Sequence, residues 1–436
     1  MSSFQCYGWN EHSLLTSIVL KNDTVISQQA IVPAESGLHF LQQEKTGLIK
    51  VLRNIEFWSR DSIENYKPLP EALFFQAGNT VDLQTQFTHA IRINPKYPLT
   101  KFVQYLTGQT HRIQHQALQN NQVMLKEAAD SSWISILNPP LEGVNEGELL
   151  SPYEILISSV DEPDYGMDMD LFEDNPNSQV GNLYQWGTQP FGNPQFTLGS
   201  QGPFHIGYFY EPSLIYMLSS IGRSNVEYRI HLYITLAKFA FRTGHTYWGY
   251  RFLGWALHYL QDLTQPYHTT LAPNYGTTRL LFTNSITYLW ITSPLNNIIQ
   301  LVSNRHFSLE NYVLNLSLQA TSQQQQDNPI LQALKDYAHD KTYPHYSQRY
   351  PRDIIAKESH EIADDLDEQI RVLFPKTYVN DPDYEFYQNG VPPPDLYTLA
   401  AKSQQNSAGF NQKIAELMRN LGSHTRNMIG AIVLSP

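Results

Sequence analysis

The second half of the chain repeats apolar and polar positions with the period of an α-helix. Residues 226–243 form one such segment, and Gly244 after it is a natural C-terminal cap. The next helix is predicted to begin at Thr246. Its apolar face is formed by Phe252, Trp255, Ala256 and Tyr259. Further helices are predicted over residues 12–20, 104–129, 216–220, 280–300 with a break or kink at Pro294, 308–319, 359–373 and 399–434.

The first half of the chain has a less regular pattern. Residues 21–150 mix short apolar alternations with polar stretches, and strands are predicted within 31–51 and 90–103. Prolines divide residues 158–212 too often for long regular elements, and a long irregular segment in a compact protein usually carries function. We therefore expect a mainly α protein.

The same pattern predicts how the chain is organised. Residues 1–20 and 151–320 are expected to form a helical catalytic core. Residues 21–150 are expected to form a large mixed insertion of α+β type. Residues 321–436 are expected to form a helical extension that packs on the core.

The composition narrows the chemistry. Hydrophobic residues make up 41% of the 436 residues, which is enough for a sizeable core. The net charge of −12 argues against nucleic acid as a partner, because proteins that bind it normally carry a basic surface. The single cysteine, Cys6, excludes an intrachain disulfide and thiolate-rich zinc sites. A zinc site would therefore have to use His, Asp and Glu.

The termini and the apolar runs predict neither a signal nor a membrane span. The first eight residues lack the basic region of a secretory signal peptide. The chain has no run of about eighteen consecutive apolar residues, which a membrane-spanning helix requires.

The most informative segment is His-x3-Asp-x5-His at residues 258–268. His258 and Asp262 are four positions apart, so they share one face of the predicted helix. Pro266 ends that helix and leaves His268 in the turn beyond it. A helix face and the turn at its end can close around a metal ion from two sides.

Other candidate ligands are scattered along the chain. They are His12, Asp161 with Asp164 close by, His205, and the His306/Glu310 pair, which has the same spacing of four. Alone, each pair is as well explained by a solvated helix face or a loop residue. Together they offer the imidazole nitrogens and carboxylate oxygens that zinc binds.

In this arrangement the chain resembles the bacterial zinc-dependent phospholipase C family, which shares an all-helical trinuclear zinc fold with the zinc nucleases of single-stranded nucleic acid. The family's hallmark is His-Tyr-x-(Gly/Thr)-Asp followed by Pro-x-His. Here it stands as His-Tyr-Leu-Gln-Asp at 258–262 and Pro-Tyr-His at 266–268. Gln261 replaces the usual small residue. The resemblance implies a helical phospholipase C-like core.

The resemblance also implies a set of metal ligands. They are Trp9, His12, Asp161, His205, His258, Asp262, His268, His306 and Glu310. Asp164 is the alternative to Asp161, and Asp262 is expected to bridge two ions. Asp161 is also the candidate catalytic residue, since a free carboxylate oxygen facing a metal-bound water could orient or deprotonate that water.

The N-terminus departs from the family pattern. Family members begin at the tryptophan and bind zinc through its free amine and carbonyl, whereas eight residues precede Trp9 here. An amide nitrogen cannot replace an amine as a ligand. Cleavage after Gly8, a site that uses the Trp9 carbonyl with water, and a shifted site are the three alternatives.

The resemblance implies hydrolysis of a glycerophospholipid, phosphatidylcholine above all, to diacylglycerol and phosphocholine with two or three Zn²⁺ ions. A zinc nuclease or nucleotidase, or a non-catalytic binding protein stabilised by metal, are the alternatives. The expected partner is phospholipid at a membrane surface. Relatives delivered into host cells imply an exported virulence effector without a recognisable signal peptide; a cytoplasmic protein is the alternative.

Overall fold

The computed structural model describes residues 12–76, 82–104, 141–194, 198–218, 220–287, 292–323, 325, 327–386, 393–402 and 407–435. The structure is 62% helix and 3% strand, which confirms the predicted mainly α class. None of the helices in these ranges combines the length and apolar character needed to cross a bilayer.

The α-helices in chain order are α1 (His12–Leu20), α2 (Thr24–Ser27), α3 (Gly37–Gln43), α4 (Lys45–Ser62), α5 (Leu83–Ala90), α6 (Pro152–Ser159), α7 (Gly181–Tyr184), α8 (Gly202–His205), α9 (Ser213–Leu218), α10 (Val226–Thr243), α11 (Thr246–Asp262), α12 (Thr277–Thr287), α13 (Ser293–Ser322), α14 (Pro329–Leu334), α15 (Lys357–Glu361), α16 (Ala363–Leu373), α17 (Lys376–Val379), α18 (Leu396–Lys402) and α19 (Ala408–Val433). Short 3-10 turns lie at Glu71–Leu73, Glu162–Tyr165, Leu198–Gln201, Pro266–His268 and His339–Thr342, and a π-helical turn at Pro351–Ala356.

The strands form two small antiparallel pairs. The four strands are β1 (Val32–Pro33), β2 (Phe102–Gln104), β3 (Leu141–Gly143) and β4 (Leu149–Leu150). β1 pairs with β4 and β2 with β3. The register places Val32 opposite Leu150 and Phe102 opposite Gly143. The β1–β4 pair joins the two ends of the predicted insertion.

Helix α11 lies at the centre of the molecule. Every residue from Tyr247 to Asp262 is buried, as in a helix packed on all sides. Helices α6, α10 and α19 pack against it, and its Gln261 donates a hydrogen bond to Thr16 of α1. Trp248 and Trp255 are among its largest fully buried side chains. The predicted metal ligands on α11 are therefore deep in the core.

One main hydrophobic core joins the predicted regions. It includes Leu41 from the predicted insertion, Leu253 from the core and Leu421 from the C-terminal extension. Helices α14 and α19 of the extension pack against each other and against α1. The extension therefore helps to bury the elements on which the candidate ligands lie.

Several helix bounds follow the sequence pattern. Helix α10 ends at Thr243, and Gly244 adopts the left-handed conformation with φ of 87°. Helix α11 begins at Thr246 as predicted. Pro294 stands in the first turn of α13, where a missing N–H costs no helical hydrogen bond. It therefore starts a helix and does not kink one.

Each of the two ranges predicted to hold strands contains only a short one. Within 31–51 only β1 is extended, and α3 and the first part of α4 occupy most of the range. Ser36 caps α3 by accepting from the backbone N–H of His39, and Leu48, Val51, Leu52 and Ile55 form the buried face of α4 with helical spacing. Within 90–103 only Phe102 and Val103 belong to a strand, β2. The helix predicted over 104–129 falls almost wholly outside the described residues.

Gly254 provides a test of how closely α11 packs. A Cβ on Gly254 would lie 2.9 Å from Cβ of Ser159 and closer still to its Oγ, which donates to the carbonyl of Ile155. We expect Gly254→Ala to lower the free energy of unfolding by about 1–3 kcal/mol through overpacking.

The matched control is Gly430→Ala in α19, where a Cβ would meet no atom within 4 Å. This change should be neutral or stabilise by up to about 1 kcal/mol, because alanine favours helix. Chemical denaturation of both variants measures the difference. Equal effects would contradict the close approach of α11 and α6.

Candidate metal centre

The structure brings candidate ligands from distant parts of the chain into three neighbouring groups. The first group is His12, Asp164 and His258; the second is His205, His258 and Asp262; the third is His268, His306 and Glu310. In each group one ligand atom per residue lies within 4.8 Å of the others, and every member is buried. These buried groups could hold metal ions.

The local elements explain how the ligands converge. His258 and Asp262 lie one turn apart on α11, and His306 and Glu310 lie one turn apart on α13. His268 is on the 3-10 turn that Pro266 begins just beyond α11. The remaining ligands lie at the ends of short elements: His12 starts α1, Asp164 lies on the turn after α6, and His205 ends α8.

The second group has spacings that suit a single metal ion, and Asp164 lies beside two of its ligands. Nδ1 of His205 lies 2.9 Å from Oδ2 of Asp262 and 3.1 Å from Nε2 of His258. Nε2 of His258 lies 3.4 Å from Oδ2 of Asp262. Oδ1 of Asp164 lies 3.6 Å from the His258 nitrogen and 3.9 Å from the His205 nitrogen. Ligands bound at about 2.0–2.1 Å around a tetrahedral ion are about 3.3 Å apart, so the three atoms of the second group have suitable spacings for one ion.

The third group is compact. Nε2 of His268 lies 3.2 Å from Nε2 of His306, which lies 2.5 Å from Oε1 of Glu310. Gln265 donates from Nε2 to the same Glu310 oxygen at 3.0 Å and so fixes the carboxylate. Three protein ligands with room for water are the pattern of catalytic zinc sites.

Asp262 connects the first two groups. Its Oδ1 lies 3.3 Å from Nε2 of His12, whereas its Oδ2 faces His205 and His258. The carboxylate is thus placed to contribute one oxygen to each of two ions, as the resemblance implies for this residue.

Hydrogen bonds fix the tautomers of two imidazoles. Nδ1 of His258 donates to the carbonyl of Val160 at 2.7 Å, and Nδ1 of His268 donates to the carbonyl of His205 at 3.0 Å. Because a carbonyl oxygen can only accept, each Nδ1 carries the proton. Each Nε2 then presents a lone pair to the groups, which is the arrangement that metal-binding histidines use.

His12 is oriented by Gln261, the residue that departs from the family motif. Nδ1 of His12 donates to Oε1 of Gln261 at 2.9 Å. The amide nitrogen of Gln261 donates to the hydroxyls of Thr16 and Thr425, which fixes the side chain. Nε2 of His12 therefore also faces the site with its lone pair. The larger side chain at 261 supports a ligand in this chain.

Asp168 contacts the ring nitrogen of His205 that does not face Asp262. It was not among the residues predicted from the sequence. Nε2 of His205 lies 3.4 Å from Oδ2 of Asp168. Asp168 also accepts from Arg229 at 2.5 Å and from the hydroxyl of Tyr259 at 2.6 Å. Only the acidic character of the Met-Asp-Met-Asp segment at 167–170 pointed to this role.

The protonation states of the buried histidines and carboxyl groups are compatible with binding of a metal cation. Burial lowers the pKa of the His258 imidazole well below its usual range and that of His268 to about 3, so both are neutral, as metal ligands must be. Burial lowers the pKa of His12, but the adjacent Asp262 carboxylate and the carboxylates of Asp164 and Asp161 outweigh that and raise it to about 9. Burial raises the pKa of Asp164 to about 8. A bound cation would replace the protons that these groups otherwise retain.

Three buried polar atoms in the groups lack hydrogen-bond partners among the described residues, which also fits coordination of a metal ion. Nε2 of His12, Oδ1 of Asp262 and Oε2 of Glu310 make no hydrogen bond within the described part of the chain. Buried polar groups are nearly always satisfied, so each such atom requires an explanation. Coordination to a metal ion would satisfy the lone pairs of all three.

The structure places most, but not all, of the predicted ligands in the three groups. The three groups contain His12, His205, His258, Asp262, His268, His306 and Glu310. Trp9 lies outside the described residues. Asp161 is in none of the groups; its Oδ1 accepts from the backbone N–H of Ser13 at 3.0 Å and its Oδ2 from Nε2 of Gln104 at 2.6 Å. The free oxygen that its predicted catalytic role requires is therefore engaged, and the geometry favours Asp164.

The C-terminal extension supports the third group. Asp367 on α16 is fully buried and accepts from the Tyr267 hydroxyl at 2.8 Å, from Arg305 at 3.2 Å and from Asn274 at 3.0 Å. Tyr267 precedes His268, and Arg305 precedes His306. One carboxylate thus ties together the two segments that bring these ligands into contact.

Comparisons with known proteins leave the family open. No family model, no curated protein and no solved structure matches the chain. The resemblance to zinc-dependent phospholipases C therefore depends on the motif and the order of the ligands along this chain.

The two aspartates on the turn after α6 are open to a direct test. Asp164→Asn removes an anionic ligand at nearly constant shape, and we expect it to weaken metal binding at this site by about tenfold or more. Asp161→Asn should retain the full metal content, because Asp161 holds Ser13 and Gln104. Elemental analysis of both folded variants after dialysis at low zinc measures the difference. Metal loss confined to Asp161→Asn would make Asp161 the ligand.

The supporting role of Asp367 makes a second prediction. Asp367→Asn leaves the buried Arg305 without its charge partner, so we expect a loss of stability of about 3–5 kcal/mol and weaker metal binding in the third group by about 10- to 100-fold. Zinc titration with a competing chelator measures the affinity. The control is Asp365→Asn on the same helix, whose exposed carboxylate accepts from Gln369 and faces Lys413. Unchanged zinc affinity in a destabilised Asp367→Asn would refute the positioning role.

Proposed function

We propose that this chain is a zinc-dependent phosphodiesterase of the phospholipase C type that hydrolyses a glycerophospholipid, with phosphatidylcholine as the leading substrate. The supporting observation is that three ligand groups adjoin in one buried centre, joined by His258 and Asp262. Metal ions about 3.5–4 Å apart can hold both the attacking and the leaving oxygen of an in-line displacement at phosphorus.

Zinc is the proposed metal because of the donor set. The groups combine imidazole nitrogens with carboxylate oxygens, whereas calcium and magnesium favour oxygen ligands alone. The spacing of the second group also suits the bond lengths of zinc. The proposed complement is two or three ions, with Trp9 or water completing the first group.

The chain's own residues would position the reactants. Bound zinc lowers the pKa of water towards neutrality and stabilises charge on oxygen. Asp164 is the carboxylate best placed to orient the attacking water, because its Oδ1 lies beside the His258 and His205 nitrogens. Burial keeps His258 and His268 neutral, and the hydrogen bonds to the carbonyls of Val160 and His205 leave the lone pair on each Nε2. Burial of the centre strengthens each of these interactions.

The alternatives have weaker support. A zinc nuclease or nucleotidase would use the same centre, but a net charge of −12 does not suit a polyanionic substrate. A protein that retains metal only for structure would need no open ligand position, whereas the third group has three protein ligands.

The proposal predicts metal-dependent hydrolysis. We expect the purified chain to hydrolyse phosphatidylcholine and 4-nitrophenyl phosphocholine, to lose both activities after treatment with a chelator, and to regain them with Zn²⁺ but not with Mg²⁺. His306→Ala should be inactive. The control is His245→Ala, whose imidazole lies at Glu35 and Glu44, outside the three groups.

The same assays separate the alternatives. Hydrolysis of single-stranded DNA without hydrolysis of either phosphocholine ester would identify the nuclease. Inactivity on all three substrates, with a lower melting temperature after chelation, would indicate a structural metal and contradict the proposed function.

A further inference from the structure

A cavity adjoins the third group. It has a volume of about 750 Å³, and its wall includes His306 and Tyr267. This volume lies within the range of about 300–1,000 Å³ that is usual for small-molecule sites. Neither the motif nor the ligand pattern of the sequence predicts it.

Apolar side chains that do not belong to the main core line much of this cavity. Ile206, Ile215 and Ile221 are buried in a separate cluster, and Leu280 and Leu281 of α12 pack against it half-buried. Side chains that serve only folding are expected to pack against one another without a void of this size. This second cluster instead surrounds a space large enough for a ligand.

The cavity also lacks charge. None of the described residues that line it is Asp, Glu, Lys or Arg. A phosphate group, a nucleotide or an ionic headgroup would lose its hydration there without gaining a charged partner. An uncharged apolar group would lose nothing and would gain from leaving water. The wall is uncharged and mostly apolar, with a minority of amide side chains such as Asn284 and Gln300, so it favours hydrocarbon over an ionic group.

The position of the cavity connects it to the metal centre. The side chain of His306 is 9% exposed, whereas those of His268 and Glu310 beside it are fully buried. Because His306 belongs both to the third group and to the cavity wall, a ligand in the cavity would reach the metal centre on this side.

We propose that this cavity binds an acyl chain of a lipid whose phosphodiester lies at the metal centre. The identity of the whole substrate rests on the proposed function, but the binding of a hydrocarbon chain does not require metal. The cavity would hold the part of the substrate that becomes diacylglycerol, and its apolar wall would exclude the phosphorylated headgroup, which must leave from another side.

Chain length provides the first test. Each methylene group that the cavity buries should tighten binding by up to about fourfold, until the chain fills the space. The measurement uses the metal-free full-length chain and a fluorescent fatty acid below its micelle concentration. A series of monomeric alkyl phosphocholines of increasing chain length displaces the probe. Affinities that do not depend on chain length would overturn the proposal.

Two adjacent residues of α12 provide a matched pair of variants. Leu281 lines the cavity, whereas Phe282 is 66% exposed and does not line it. Leu281→Asn places an amide in the apolar wall, so we expect it to weaken binding of the longest chain by roughly tenfold. Phe282→Asn should leave this binding unchanged. Leu280→Asn on the same wall is the second variant should Leu281→Asn fail to fold.

The outcomes separate the cavity from the catalytic proposal. Equal affinities for Leu281→Asn, Phe282→Asn and the unmodified chain would overturn the acyl-chain site. Hydrolysis of 4-nitrophenyl phosphocholine, which has no acyl chain, reports on the metal centre alone. Its absence would contradict the proposed function, while chain-length-dependent binding sensitive to Leu281→Asn would still support the cavity.

Discussion

The burial of the Asp262 carboxylate in the middle of α11 is the constraint on which the surrounding structure depends. Its side chain is fully buried on a helix that is packed on every side. An unpaired charge at such a depth is very unfavourable. Burial alone would raise the pKa of Asp262, but the neighbouring imidazoles of His258, His12 and His205 outweigh it and hold the pKa well below its usual range. The imidazoles must therefore converge on this carboxylate for the core to form around it.

The elements that carry these imidazoles are themselves fixed by buried ion pairs. Arg251 of α11 binds Glu162 on the turn that carries Asp164, at 2.8 Å. Arg229 of α10 binds Asp168 behind His205, and Arg305 of α13 binds Asp367 beside His306. Each guanidinium thus holds a ligand-bearing segment from outside the centre. A buried pair gives little net stability compared with apolar packing, but its loss is costly, so these pairs favour one arrangement of the ligands.

The sequence predicts the parts of the centre that are local in the chain. A spacing of four on a helix places His258 with Asp262 and His306 with Glu310, and helical spacing with a glycine cap defines α10 and α11. The sequence alone does not decide between Asp161 and Asp164, because side chains three residues apart on a turn can point in different directions. The supporting residues Asp168 and Asp367 escape such reasoning, since their partners lie about 40 to 100 residues away in the chain. The strand within 31–51 covers only Val32–Pro33, and helices occupy most of the range, because short apolar runs fit both periods until a cap such as that of Ser36 is recognised.

The two hydrophobic clusters differ in what they pack around. The main core holds α11 and its ligands rigid, and rigid support is what a metal site needs to keep its geometry. The smaller cluster of Ile206, Ile215 and Ile221 lies on the His306 side, where half-buried leucines surround a space. Packing this space would add apolar contacts and stability, but it would also close the side on which His306 is exposed. A chain selected for stability alone would fill such a space, so its retention beside a ligand of the centre fits the trade-off between stability and access that functional sites show.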